Sequence, residues 1–468
     1  MKTTTKKLVL SLVFVLLIST GPARADGGDD DRRKWVASWA TSPATFFAYT
    51  PPPQPFVLTP GMPIQYAVAN IQPDLVFPFP NATSPAGASA VNQTFRSIVK
   101  PDLWGNTIRI RFSNVFGNTS MTFRNVTVGL QEYAANVVEG TLTAVKFGGS
   151  RSVTIPAGQR VFSDPVRLSF IEEEDDRSVQ GRNLAISYAV QGDSGRMTFH
   201  SGANQTSFIT AQGSGDHTAD LDAFAYQYTT ASWFYVETVD VLAHPDTVVV
   251  CAFGDSITDG THTTFNINDR WSNVLSRRLH NAYGNRISVV NEAIGGNRVV
   301  NPVIPDSTSG PAAVDRLDRD VLGLSGLTHV IWLEGINDLG ALHSTASIIA
   351  GYQDVVTRLH RAGVKVTGAT VVSALGIYGV PFPTVDNGTA VEAGRQVLNN
   401  FIRHSGTFDR IAEFDLATLD PATGNMKAVF LPNSQFTQLP WDYLHPNHAG
   451  YNAMGMAVDI TQFAPRHH

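Results

Sequence analysis

A single cysteine, Cys251, stands among the 468 residues, so no disulfide can form within the chain. A disulfide-stapled scaffold is thereby excluded, and the thiol, set in an apolar run, reads as a small core residue rather than a reactive one. Charge is scarce as well: Asp, Glu, Lys and Arg make up 16% of the chain, below the usual share of about a quarter. Acids outnumber bases, for a net charge of −6, and nucleic acid, which is gripped by clustered cations, is a poor partner. No apolar run is long enough to cross a bilayer as a helix; the longest, Leu8–Ile18, has eleven residues, so no membrane anchor is expected. The Gly-x-Ser-x-Gly elbow of the α/β-hydrolases is missing. Gly192-Asp193-Ser194-Gly195 imitates the serine-protease nucleophile motif, but that mechanism on its usual fold needs an earlier histidine, and none precedes His200.

What is present begins with Lys2, Lys6 and Lys7 ahead of Leu8–Ile18, followed by Ala23-Arg24-Ala25. Basic flank, short apolar core and small-x-small site make residues 1–25 a secretory signal peptide cleaved near Ala25, which implies a secreted protein, extracellular or periplasmic. A buried first helix is the plainer alternative. Cleavage removes four cations and no acid, so −6 becomes −10. Residues 26–34 read as a disordered leader. Over 35–243, stretches such as Thr107–Phe112, Met121–Val128 and Leu184–Val190 alternate apolar and polar residues. This predicts an antiparallel β-sandwich of jelly-roll type. Pro51–Pro80 suits a long ordered loop, and Glu172–Asp176 a solvated loop rather than a calcium site. The sequons at Asn125 and Asn204 accept glycans only in a eukaryotic host.

His244-Pro245-Asp246 marks a boundary, and 246–468 forms the second domain. Strands are predicted at Thr247–Ala252, Ile287–Asn291, His329–Leu333, Val364–Val372 and Arg410–Phe414. Helices are predicted at Asp269–Tyr283, Ala312–Leu322, Ala346–Ala362, Val391–His404 and Asn447–Thr461. Alternating β and α at this spacing gives a parallel sheet with helices on both faces.

The run Val248–Phe253 ends abruptly at Gly254-Asp255-Ser256. In open parallel sheets, ligands bind beyond the carboxyl ends of such buried strands, so Ser256 is a candidate nucleophile. A helix N-cap is its plainer reading. Near the other end, Asp442 and His445 are three residues apart, and a loop at this spacing sets the carboxylate against one imidazole nitrogen while the other faces Ser256. Pro446 fits the first turn of a following helix. Asp255 is expected to orient a loop and not to serve as the triad acid. Asp442, His445 and His448 also have the spacing of a zinc site, but Pro446 and the serine motifs speak against a metal.

Gly254-Asp255-Ser256, Gly296 within Asn291–Asn297, Gly335-Ile336-Asn337-Asp338 and Asp442-x-x-His445 follow one another in the order of the four blocks of SGNH (GDSL-type) esterases, and the chain resembles that family. Trp35–Trp39, Asn268–Trp271 and Glu334–Asp338 are similar to a secreted branch with an extra N-terminal domain, related to xylan-acetylesterase-like proteins. The resemblance implies a flavodoxin-like sheet of about five strands, an acyl-serine mechanism through Ser256, His445 and Asp442, and no cofactor or metal. It further implies an oxyanion hole from the backbone N–H groups of Ser256 and Gly296 and the side-chain amide of Asn337. Asn297, Arg298 and Trp332 fall near the same sheet edge and are candidates for contact with the alcohol part of a substrate. The expected substrate is a small-molecule or polysaccharide ester, carbohydrate O-acetyl groups first. A lipase, thioesterase or polyester hydrolase on the same scaffold is the second enzyme reading, and a catalytically silent polysaccharide-binding protein the third.

Overall fold

A computed structural model describes residues 33–45, 89–172, 178–300, 309–376, 388–432 and 442–465. The expected signal peptide, the Pro-rich stretch and most of the acidic run lie outside the described residues.

A small three-stranded antiparallel sheet and two large ones build the first half. One has the order β1 (Lys34–Ala40), β6 (Val236–Ala243), β3 (Thr107–Ser113), then Arg160–Phe162. The other centres on β2 (Val91–Val99), β5 (Leu184–Asp193) and β4 (Met121–Leu130). Their inner faces meet through aromatic rings: Tyr188 stacks on Phe95 at 5.5 Å and meets Phe112 and Phe123 edge-on at 5.5 and 5.2 Å. Such pairs add roughly 0.5–1.5 kcal/mol each beyond burial. The Tyr188 hydroxyl donates to the Phe234 carbonyl at 2.6 Å, so the buried polar tip is satisfied.

The second half carries a five-stranded parallel sheet in the order β8-β7-β9-β10-β11, with β7 Val248–Gly254, β8 Ile287–Ala293, β9 Leu327–Leu333, β10 Lys365–Ala369 and β11 Arg410–Ala412. That is the flavodoxin-like arrangement, with the first strand beside the second and third. Every residue of β7 is buried, as a central strand covered on both faces requires. Helices flank the sheet: α2 (Trp271–Tyr283) packs with α8 (His448–Ala457), and α5 (Thr345–Arg361) with α6 (Thr389–His404). The helix expected over Ala312–Leu322 is broken into a short α3 (Ala313–Arg316) and a wider π-type turn, Leu317–Val321. Among the described residues, no helix is long and apolar enough to cross a membrane.

Alternation in β3 works on both faces. Ile108, Ile110 and Phe112 point into the sandwich, while the opposite face is covered rather than wet. There Arg111 pairs with Glu237 at 3.2 Å and donates to the Gly323 carbonyl at 2.8 Å; Arg109 pairs with Asp240 and reaches Ser325, each at 3.0 Å. The Ala37 N–H donates to the Ser325 carbonyl at 2.9 Å, and the Ser288 hydroxyl to the Ala37 carbonyl at 2.7 Å. The two halves thus share a buried polar seam.

Asp102 is a second tie: it accepts from the Val289 N–H at 2.6 Å, from His280 Nε2 at 3.0 Å and from the Ser276 hydroxyl. Burial disfavours the charged imidazole of His280, but the Asp102 carboxylate and its hydrogen bonds outweigh this and raise its pKa. A raised folded pKa gives stability that is complete below the unfolded value, about 6.5, and is lost as pH rises through the folded value. Wild type is therefore expected to lose about 1–2 °C of Tm relative to His280→Gln between pH 5.5 and 8.5. Parallel melting curves for the two proteins across that range would remove His280 from the seam's energetics.

Candidate active site

β7 ends where its neighbours end: Gly254 is in register with Ala293 of β8 and Leu333 of β9. The loops that follow all leave the sheet at one level. Gly254 is needed for this closure, because a Cβ there would lie 2.1 Å from the Leu333 carbonyl oxygen. Asp255 then caps the one-turn helix α1 (Ser256–Asp259), its Oδ1 accepting from the Ile257 N–H at 3.0 Å. The cap is Asp255, not Ser256, which leaves the serine hydroxyl available. Asp255 is fully buried, and burial pushes its carboxyl up to about 7.

The Ser256 hydroxyl lies 2.7 Å from His445 Nε2, and His445 Nδ1 lies 2.8 Å from Asp442 Oδ2. Asp442 is held by its own loop, its Oδ1 accepting from the Leu444 and His445 N–H groups at 2.8 and 2.9 Å. Burial opposes its charge, but the facing imidazoles more than compensate and hold its carboxyl well below the usual range. An ionised Asp442 can only accept, so His445 carries its proton on Nδ1 and Nε2 faces the serine as an acceptor. Burial works against the imidazolium of His445; the Asp442 charge and hydrogen bond prevail, and its pKa is raised. Pro446 is not in the first turn of α8. The cap is Asn447, accepting from Ala449 and Gly450 N–H at 2.9 and 3.2 Å, so the proline precedes it.

Gly296 has φ 77°, a left-handed conformation that favours glycine, and its N–H is claimed by no hydrogen bond among the described residues. Asn337, in α4 (Ile336–Gly340), donates one amide hydrogen to the Asn297 carbonyl at 3.0 Å and has a second to offer. Ser256 and Asn337 are 7% and 6% exposed, so reacting atoms here meet little water.

Two of the proposed substrate contacts are used up in the fold. Asn297 donates to the Ser309 and Pro311 carbonyls at 2.6 and 2.8 Å and accepts from Arg316 Nε at 2.8 Å. Trp332 lies within β9, its indole N–H on Glu334 at 2.7 Å and its ring against Tyr352 at 5.1 Å. Proximity in sequence to the sheet edge did not reveal that both side chains point inward. Arg298 is half-buried beside Asp338. Cys251 is buried in β7, and burial pushes its thiol well up.

Three residues outside the motifs also shape the site. The buried Arg316 donates to the Gly254 carbonyl at 3.0 Å and to Ser42 Oγ at 2.8 Å while crossing the Phe253 ring at 4.3 Å. His200, from the first half, faces Asp259 Oδ1 through Nε2 at 3.0 Å, and Asp259 Oδ2 accepts from the Gly295 N–H at 3.1 Å. His262 Nε2 lies 2.8 Å from Asp442 Oδ2, the oxygen that already faces His445. Only a fold brings these together; nothing in their local sequence announces it.

His448 is exposed and takes no part, so the zinc spacing of Asp442, His445 and His448 forms no cluster. His262, Asp442 and His445 do place three potential ligand atoms within 4.8 Å of one another. Each N···O contact is a 2.8 Å hydrogen bond converging on one oxygen, which leaves no space for an ion at metal–ligand distances of about 2.0–2.2 Å. A cavity of about 390 Å³ opens elsewhere, between the two halves, lined by Trp39, Asp102, Trp104, Arg270 and His280. Ser256, Asp442 and His445 do not line it.

No curated protein matches the chain. Among solved structures, the chain is similar to a lipolytic protein of the G-D-S-L family from Desulfitobacterium hafniense (17% identity, 45% of this chain and 96% of that one, TM-score 0.33). It is also similar to the acetyl xylan esterase AlAXEase (17%, 45% and 96%, TM-score 0.32). A third is Est24, a carbohydrate acetylesterase from Sinorhizobium meliloti (15%, 45% and 95%, TM-score 0.34). Residues 252–453 match the model of the GDSL-like lipase/acylhydrolase family. Residues 252–453, which hold Ser256 and His445, thus form a GDSL-like lipase/acylhydrolase domain.

Proposed function

We propose that the protein is an exported serine esterase that removes acetyl or other short acyl groups from carbohydrate or aryl esters through an acyl-serine intermediate. The observation that carries the mechanism is the continuous chain from Ser256 Oγ through His445 to Asp442, with steps of 2.7 and 2.8 Å. Ser256 attacks the acyl carbon as His445 Nε2 takes its proton, and Asp442 holds the imidazole tautomer and stabilises the imidazolium. The negative charge on the carbonyl oxygen is received by the N–H groups of Ser256 and Gly296 and the free amide hydrogen of Asn337. Collapse expels the alcohol, which leaves with the proton from His445. Water then repeats the sequence on the acyl-serine and releases the acid. The preference for carbohydrate acetyl groups rests on the resemblance to xylan-acetylesterase-like proteins.

Asn337→Ala is expected to lower kcat by about 10²–10³ with an unchanged circular dichroism spectrum. An unaltered kcat would remove Asn337 from the oxyanion site. The substrate reading is tested by the acid released from a panel. Acetate from acetylated xylan or p-nitrophenyl acetate, with no fatty acid from a long-chain triglyceride, is the expected pattern. The reverse pattern would make the protein a lipase.

A further inference from the structure

Asp442 is surrounded on every side. Its Oδ1 takes two backbone N–H groups, and its Oδ2 takes both His445 Nδ1 and His262 Nε2 at 2.8 Å. These four donors fill the acceptor capacity of a carboxylate. The second histidine is placed deliberately. His262 has φ 66°, in the left-handed region that side-chain-bearing residues rarely occupy. Such strain persists only where the surroundings over-determine it. Here the Thr261 N–H donates to the Ser256 carbonyl at 3.0 Å, the Tyr451 hydroxyl donates to the Thr261 carbonyl at 2.6 Å, and the Thr263 hydroxyl to the Gly260 carbonyl at 2.6 Å. The loop is clamped between the nucleophile's helix α1 and α8, which follows His445.

We propose that His262 is a positioning residue for the Asp442–His445 pair: its Nε2–H fixes the carboxylate and draws charge from it, making His445 a weaker base than a lone Asp–His pair would. The inference rests on the serine-esterase reading. Its chemistry requires that His262 be neutral with the proton on Nε2, since Asp442 can only accept. Burial favours this, lowering the pKa of His262 against the pull of Asp442. The other titratable groups beside the pair are Asp255, which acts on His445, and Tyr451, whose buried hydroxyl is pushed well up by burial first and then by Asp442.

The test is the pH profile of kcat/KM for p-nitrophenyl acetate in wild type, His262→Phe and His262→Gln. Loss of the donor returns charge to Asp442 and stabilises the His445 imidazolium. The acid limb of His262→Phe is then expected to move up by about half to one pH unit, with roughly a three- to tenfold loss at pH 6 and a smaller one above pH 8. Gln, which restores an N–H donor, is expected to return the limb toward wild type. A uniform loss at all pH values with an unmoved limb would make His262 merely structural and overturn the proposal. Should the Phe variant not fold, ¹⁵N-histidine NMR of the wild type decides. A neutral Nε2–H tautomer from pH 6 to 8 supports the proposal, and an Nδ1–H tautomer or an imidazolium overturns it. A Ser256→Ala control separates the two layers. Hydrolysis that ignores Ser256 defeats the esterase reading itself, whereas a stationary limb in Ser256-dependent hydrolysis defeats only the role of His262.

Discussion

Ser256→Ala is expected to lower kcat/KM for p-nitrophenyl acetate by about 10⁴–10⁶ while leaving Tm almost unchanged. In the proposed mechanism this hydroxyl forms the acyl bond, and it sits 2.7 Å from His445 Nε2. What survives is the contribution of binding and of the oxyanion donors, which alanine at this position leaves in place, including the backbone N–H of residue 256. The helix cap belongs to Asp255, so no folding element is lost with the hydroxyl. The measurement is a progress curve for each protein after subtraction of spontaneous hydrolysis. A variant that keeps the wild-type rate would place the nucleophile elsewhere and end the proposed mechanism.

Asp442→Asn is expected to cost about 10⁴ in kcat with the fold retained. The amide keeps one oxygen for the Leu444 and His445 N–H groups, and its NH₂ then faces His445 Nδ1. That reverses the polarity of the contact: the imidazole moves its proton to Nε2, and a protonated Nε2 cannot accept from Ser256. His262 meets the same NH₂ and is turned as well. Stability carries its own signature, because the folded pKa of Asp442 lies below its unfolded value. The carboxylate's contribution is present above the ordinary carboxylate range, near 4, and is lost as pH falls through the folded value. The difference in stability between wild type and variant is therefore expected to hold steady from pH 8 down to about 5 and to shrink in more acidic solution. Urea titrations across that range measure it, and a kcat within tenfold of wild type would remove Asp442 from the mechanism.

The central strand and the site's main groups were readable because their signals are local or ordered. An all-apolar run stopping at Gly254-Asp255-Ser256 announces a buried parallel strand with a loop at its carboxyl end, and the spacing of Asp442 and His445 allows their contact in one loop. Turn chemistry was harder to read. Pro446 suggested a helix start that Asn447 in fact supplies, and Leu317–Val321 widened into a turn that periodicity alone cannot foresee. Inward or outward orientation was the weakest inference. Asn297 and Trp332 are consumed by internal partners, and Arg111, Glu237 and Asp240, polar residues on a β face that alternation assigns to solvent, are buried against a distant segment. His262 and His200 act through contacts that span 180 and 59 positions. Side chains recruited over such distances leave no pattern around themselves.

The seam between the two halves has a consequence for engineering. A version of the enzyme trimmed to begin near Asp246 would bare Ser288 and lose His200, the group that steadies Asp259 and, through it, the Gly295 N–H beside Gly296. Recombining this hydrolase half with a foreign partner, or screening it alone for new substrates, would therefore disturb the active-site loops themselves. Libraries built on this scaffold should keep both halves together and vary the loops.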